Sequence, residues 1–372
     1  MATNSFLSVK EIARQLLPRL MQNLGFPNLI YQDYSGDFVA GKGATVQVKK
    51  PVVLTASEFD SGAGITAQNV DDSKTVEVTL DKLATVDVEF GAVSLATDVD
   101  SLARIFVEPA AIAIAEKINS DGLALYKDIP YYTGAAATTP DGLDDFALAS
   151  KILNDHNVPV AGRNAVWNTA ALSKFQQLDA LVNAEKAGST EALRAGSIGN
   201  VFGLNNYMLQ GVKTHTTGAA GTTIAVDLTA GYSAGVSTIH VDGLSSAFVK
   251  GDLFSIADDT TQYVVTTPGT LSTADQDITF YPPLAKDTAD GKVITVVASH
   301  AANMVFNPGA FAFVTRPLLA PAGVESYTTS YNGITVRVVR GYNMQYKKEM
   351  LSADVLYGYK TMYPEMAAIV LG

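Results

Sequence analysis

Between Thr216 and Ser299 the chain changes character, and that change limits every architecture open to it. The stretch is rich in Thr, Val, Ile, Gly and Asp. Its strand-like pieces TTIAVDL, STIHVDG, DLFSIAD, QYVVTT, DITFYPP and KVITVVA are parted by turn signals. That spacing suits a small sandwich or barrel. Three lysines stand against nine aspartates, with no glutamate or arginine, so the stretch carries −6 of the chain's formal −11. The sequence on both sides mixes helical and strand periods. The block therefore reads as an all-β domain inserted into an α+β host.

The host opens with SVKEIARQLLPRLMQNL, residues 8–24, an amphipathic helix pattern with Val9, Ile12, Ala13, Leu16, Leu20 and Leu24 on one stripe. Ser8 and Glu11 make a capping-box pair, Gly25 and Pro27 supply a stop, and Pro18 should kink the helix. The stripe needs cover, either from its own domain or from a neighbouring subunit. Residues 44–54 read as one strand, and TVEVTLDKLATVDVEF, residues 75–90, as a pair or one long strand with one face buried. The polar, glycine-bearing segment between them makes this a long hairpin-like flap with little core of its own. Residues 97–129 read as a long helix broken near Pro109, with Ile112, Ala115 and Ile118 at helical spacing and cover expected on more than one side. Residues 144–155 and 170–184 read as helices around a buried strand, GRNAVWN, followed by a helix turn, a glycine-rich loop and a strand through Met208. After the β block, AFAFVTRPLL, TVRVVRGYN and VLYGYKTMYPE return to the host style. The last is expected to be the final core-filling strand, with Gly358 giving room for close backbone approach or a bend, and Pro364 ending the pairing.

Composition excludes several functions. With 47% hydrophobic residues the chain of 372 can bury a sizeable core. Its acidic balance argues against a dedicated nucleic-acid binder, which needs a basic face. There is no cysteine, so disulfides, thiolate catalysis and cysteine zinc sites are excluded. His156, His215, His240 and His300 are scattered, without metal-ligand spacing. No apolar run approaches the roughly 18 residues of a membrane helix, and no signal-peptide pattern is present. A soluble protein made in the cytoplasm is expected.

Three motifs tempt. GDFVAGKG, Gly36 to Gly43, begins like a phosphate-binding loop, but Gly43 stands where Ser or Thr should hold magnesium, and a strand follows where a helix is needed. GYSAG, Gly231 to Gly235, matches a nucleophile elbow with His240 nearby, which would make Ser233 a hydrolase nucleophile. A strand follows it as well, so a glycine-rich turn is the stronger reading. The pairs Asp258 and Asp259, Asp275 and Asp277, and Asp287 and Asp290 lack calcium-loop spacing and read as solvated acidic surface, with a weak cation site as the minor reading. No catalytic, cofactor-binding or metal residue is expected, and no enzyme.

The order of elements resembles the major capsid (coat) protein of tailed double-stranded-DNA bacteriophages, the fold shared with herpesvirus capsids. Four stretches carry the resemblance: VAGKGATVQVKKPVVL with TVEVTLDKLATVDVEF, LARIFVEPAAIAIAEKINSDGLALY, ALRAGSIGNVFGLNNYML, and SYNGITVRVVRGYN through MYPEMAAIVL. They span residues 1–211 and 301–372, and the β block resembles the insertion of podophage coat proteins by position and β character. The resemblance implies an α+β tailed-phage capsid fold. Its parts would be an N-terminal arm helix over 1–36 and an extended β flap with adjoining peripheral strands over 37–92. A spine helix and peripheral domain would follow over 93–142, and the first part of the axial domain over 143–212. An inserted β-barrel or sandwich domain would occupy 213–300, and the axial and peripheral return with the C-terminal strand 301–372.

It implies a non-enzymatic virion subunit, made in the host bacterial cytoplasm. Copies would form hexamers and pentamers of an icosahedral shell, the N-terminal helix and flap reaching to neighbours. A scaffolding protein, a portal and weakly, non-specifically held packaged DNA would be partners, with no membrane and no cofactor. Some relatives crosslink through a flap lysine. Lys42, Lys49, Lys50 and Lys74 are available, yet no residue pairing supports that chemistry, and no crosslink is expected. A tail-tube or baseplate protein is the alternative, and a serine hydrolase using Ser233 a distant one.

Overall fold

The computed structural model describes residues 9–32, 45–49, 75–91, 106–188, 190–321, 323–331, 333–344 and 348–372. Helix α1 (Val9–Asn23) buries the expected stripe, Val9, Ile12, Ala13, Leu16, Leu20 and the following Leu24, joined by Leu17. The 3.6-residue period gathers these side chains on one face. Pro18 is exposed, so the backbone hydrogen bond it removes is lost on the wet side. The Asn119 Oδ1 accepts from the backbone N–H of Gly25 and of Phe26, 3.1 Å each, which closes the helix end. Of the two ways to cover the stripe, cover within the chain is what is found. Ser8, its expected cap, lies outside the described residues.

Strands β1 (Thr45–Lys49) and β2 (Thr75–Thr79) pair antiparallel, with Gln47 opposite Glu77. The intervening flap, with Lys50 and Lys74, lies outside the described residues, as do Gly36–Gly43 and Lys42. The 75–90 alternation is two strands, for β3 (Lys82–Gly91) starts anew after Leu80 and Asp81. Helix α2 (Glu108–Leu123) carries Pro109 in its first turn, where a missing donor costs nothing. It buries Ala110, Ala111, Ile114, Ala115 and Ile118, while Ile112 is exposed. The expected phase through Ile112, and cover on more than one side, are corrected to a single buried face. Alanine and isoleucine on both sides gave too little polar contrast to set the phase. A 3₁₀ turn, Ala124–Asp128, follows.

Then come β4 (Tyr132–Thr133), α3 (Leu143–Asp155) and β5 (Arg163–Trp167). The single helix expected over 170–184 is three short pieces, α4 (Thr169–Phe175), α5 (Asp179–Val182) and α6 (Ala184–Ala187). Asn183 is extended and its side chain accepts from the Glu185 N–H, so it caps a new turn instead of continuing the old one. Next are α7 (Glu191–Ala195), β6 (Asn200–Val201), β7 (Leu204–Met208) and β8 (Thr214–His215). The β block supplies β9 (Ala220–Val226), β10 (Thr238–Ser246), β11 (Leu253–Ile256), β12 (Tyr263–Pro268), β13 (Gln276–Tyr281) and β14 (Ile294–Val296). The return supplies β15 (His300–Phe306), β16 (Phe311–Arg316), β17 (Glu325–Tyr331), β18 (Ile334–Asn343), β19 (Lys348–Thr361) and β20 (Ala367–Leu371).

The chain divides into two compact units. The first takes its described residues from Met1–Arg19, Gln32–Ile114 and Ala312–Met362. Its sheet runs β16-β19-β18-β17, with β3 also on β19. Residues Lys348 to Asp354 of β19 pair with β18 and with β3 at once, so β19 is central there. Here the early and late thirds of the chain are tied together by ten register pairs, Lys348 with Gly91 through Tyr357 with Lys82. Gly358 follows directly. A Cβ on it would lie 2.2 Å from the Thr79 carbonyl oxygen, so it does provide close backbone approach. Buried Asp354 accepts from Arg337 (Nε at 3.1 Å, and Nη2) and from the Ser352 hydroxyl at 2.8 Å.

The second unit comprises Leu20–Tyr31, Ala115–Phe311 and Tyr363–Gly372. Its mixed sheet runs β4-β20-β15-β5-β7-β6, with β8 also on β15. Strands β5 and β20 are buried at every residue, as fits strands covered on both faces. Phe146, Trp167 and Phe175 pack ring on ring with Val305 and Val370 in one cluster, while Phe26, Phe306 and Phe311 form another ring contact set. The last strand is β20, so VLYGYKTMYPE is not the final one. Pro364 opens a short 3₁₀ turn, and the apolar tail then enters this sheet beside β15.

The β block forms an antiparallel sheet, β14-β11-β12-β13-β10-β9, around its own cluster that includes Ile239, Phe254, Tyr263 and Phe280. Val226 donates to the Lys292 carbonyl at 2.9 Å, Gly291 donates to that of Val226 at 2.8 Å, and Ala225 bridges Val293. The last edge thus meets the segment leading into the first, and the sheet closes as a barrel. At the β9–β10 irregularity a Cβ on Gly243, at φ +73°, would lie 1.9 Å from the Thr223 carbonyl oxygen.

Candidate functional site

The two tempting motifs that fall among the described residues, GYSAG and the aspartate pairs, do not assemble chemistry there. Ser233 is exposed in a loop whose neighbours are held by backbone bonds, Tyr232 to the Thr288 carbonyl and Gly235 to that of Leu284, 2.8 Å each. Strand β10 follows, not a helix. His240 turns to Asp277, its cross-strand partner, with Nδ1 at 2.6 Å, and that bond raises the imidazole pKa above its ordinary value. Among the described residues no hydrogen bond joins Ser233 to His240. The aspartates have local roles. Asp287 accepts from the Ala234 N–H at 2.8 Å, Asp290 from the Leu228 N–H at 2.9 Å, Asp259 from the Tyr263 hydroxyl at 2.6 Å, and Asp258 pairs with Lys292. Among the described residues no three His, Asp or Glu side chains gather to hold a metal. Lys49 ends β1, and the other three flap lysines lie outside the described residues.

Surface features stand out instead. Strand β17 closes its sheet, and among the described residues nothing pairs its outer edge. It is an unbroken seven-residue strand with Glu325 as its one charge. Such an edge is a template for another strand. Strand β6 likewise ends the other unit's sheet, and around it Val160, Phe202, Tyr207 and Met208 are exposed. Among the described residues Leu319 and Met344 are the most open large apolar side chains, 89% and 78% exposed. Among the described residues no helix is long and apolar enough to cross a membrane.

Two of the scattered histidines meet. His215 and His300 sit opposite each other on β8 and β15, with ring centroids 5.4 Å apart. The Asp252 carboxylate and the Tyr126 hydroxyl complete a buried cluster that the sequence reading missed. A signal existed: both histidines border the β block, and the two ends of an insertion must lie close together.

No protein-family model matches the sequence, and no curated protein sequence matches it. Solved structures do. A chain from Mycobacterium phage Che8 superposes with a TM-score of 0.55 at 16% identity, covering 93% of this chain and 90% of that one. The fold is the tailed-phage capsid fold. Two further similar structures are the capsid of cyanophage P-SCSP1u (TM-score 0.49, 13% identity, 89% and 84% covered) and the mature capsid of bacteriophage PhiM1 (0.48, 10%, 89% and 82%). In this capsid fold the described structure holds extended strand edges and exposed apolar side chains, with no assembled reaction centre among the described residues.

Proposed function

We propose that the chain is a major capsid protein that self-assembles as hexamers and pentamers into an icosahedral shell enclosing packaged double-stranded DNA. The likeness of nearly the whole chain to the Che8 phage chain carries the reading. The edge of β17, which no strand among the described residues pairs, and the exposed apolar side chains around β6 support it, since both suit contact with a neighbouring subunit. On this reading residues 37–92 would be the flap with adjoining peripheral strands, 93–142 the spine helix and peripheral domain, 143–212 the first part of the axial domain, 213–300 a podophage-type inserted barrel, and 301–372 the axial and peripheral return. A scaffolding protein and a portal would be its other partners. The DNA would be held by weak, non-specific contact, as the acidic balance requires. The protein would reside in the virion, after synthesis in the host bacterial cytoplasm.

Electron microscopy of the purified chain tests this. Closed shells, or rings of five and six, are expected. Dispersed monomer under all assembly conditions, scaffolding protein included, would overturn the reading, and helical tubes would replace it with a tail component.

A further inference from the structure

The barrel is bolted to the mixed sheet of its unit by polar contacts. Gln262 exchanges two bonds with the Tyr132 backbone, at 2.8 and 3.0 Å, Lys250 pairs with Asp128 at 2.8 Å, and the Tyr281 hydroxyl donates to Glu365. Tyr126, His215, Asp252 and His300 form the buried one. Asp252, fully buried, accepts at Oδ1 from His215 Nε2 (2.8 Å) and the Gly218 N–H (3.2 Å), and at Oδ2 from the Ala219 and Val249 N–H groups (3.3 and 2.9 Å). In the neutral His215 ring Nδ1 then accepts from the Tyr126 hydroxyl at 3.0 Å. Beside them Thr217 joins the two chain crossings, donating from its N–H to the Ser299 hydroxyl at 3.0 Å and from its own hydroxyl to the Val297 carbonyl at 2.8 Å.

His300 is the odd member. Its Nδ1 lies 2.8 Å from the Ala298 carbonyl, which can only accept, so Nδ1 carries the proton. Its Nε2 is buried and has no hydrogen-bond partner among the described residues. A proton added there would place a charge in a 2% exposed ring with nothing to receive it.

We propose that His300 makes the junction between barrel and sheet a pH-sensitive clamp, closed while its ring is neutral and loosened when the ring gains a proton. Among the described residues the titratable groups that act on it are His215 from β8 and Asp252 from the turn before β11, with Tyr126 from the 3₁₀ turn bonded to His215. The Lys127 stem lies against Gly251, and the Lys250–Asp128 pair lies outside the cluster. Burial, the largest effect, lowers the His300 pKa against the opposite pull of the Ala298 carbonyl and of Asp252. A histidine with a lowered folded pKa contributes stability above its ordinary titration range. That stability is lost as pH falls from there toward the folded value. The clamp is a property of the subunit and does not depend on the shell reading.

Amide hydrogen exchange on the full chain, corrected for intrinsic rates, tests it between about pH 7.5 and about pH 5.5. Thr217, Gly218 and Ala219 should lose protection on acidification, by up to about tenfold per pH unit, the limit for one proton. Barrel amides such as Phe280, bonded to the Ser237 carbonyl, should hold theirs. His300→Phe, or His300→Gln if the first fails to fold, should flatten the pH slope whatever it does to the level. Tyr126→Phe should lower protection at every pH and keep the slope. A flat wild-type profile overturns the proposal. A slope unchanged without His300 overturns it too and transfers the effect to His215.

Discussion

Gly358 is decided by space alone. Added bulk at this position meets backbone of β2, which cannot swing aside as a side chain can. Gly358→Ala should therefore lower stability by about 1–3 kcal/mol, the usual cost of overpacking, read as a fall in the denaturant midpoint. An unchanged midpoint would mean that β2 shifts freely against β19. Arg337 and Asp354 face each other across β18 and β19, and Arg337 also donates to the Leu319 carbonyl at 2.8 Å. Arg337→Ala would strand a buried carboxylate, with an expected loss of about 3–5 kcal/mol. The double change to Arg337→Met and Asp354→Leu should recover most of it, because no charge is then left without a partner. Neither pair nor clash is visible in the string TVRVVRGYN or VLYGYKT. Alternation shows which residues share a face, but not which strand lies opposite.

At the scale of elements, α1 and the barrel make separate predictions. Seven apolar residues of the α1 stripe are buried within the chain, at roughly 1.5–3 kcal/mol for each large side chain. Removal of residues 1–25 should therefore damage subunit folding as much as assembly, measured by circular dichroism and by particle yield. A well-folded subunit that fails only to assemble would mean that the helix serves neighbours. The barrel has its own core and closes on itself. A fragment of residues 213–300 should fold alone, with a β spectrum and a cooperative melt. A random-coil spectrum would show that the clamp to the sheet is essential to it. The helical period of α1 was readable because charged residues border its stripe. That of α2 was misphased because alanine fills both faces. The 170–184 helix was overdrawn because Leu178 and Asn183 are both extended and each starts a new turn, local backbone choices that periodicity does not record.

For the whole molecule, a shell reading predicts its own covalent state. Because no residue pairing in the sequence supports flap-lysine crosslinking, intact particles should run as monomer on a denaturing gel. A ladder of larger bands would establish crosslinking, with Lys42, Lys49, Lys50 and Lys74 as the residues to replace in turn. The order of elements already pointed to the capsid fold, and the Che8 likeness agrees with it over 93% of the chain. Ser233 and His240 never become a site, because the turn that carries Ser233 leads into a strand and His240 is engaged by Asp277. Amphipathic period, turn residues and the acidic Thr- and Val-rich block are local properties, so one strand of text suffices to read them. The centrality of β19, the place of β20 beside β15, and the meeting of His215, Asp252 and His300 depend on residues far apart in the chain. Pairing energies between distant strands have no periodic trace in sequence, and only the folded packing selects which of them form.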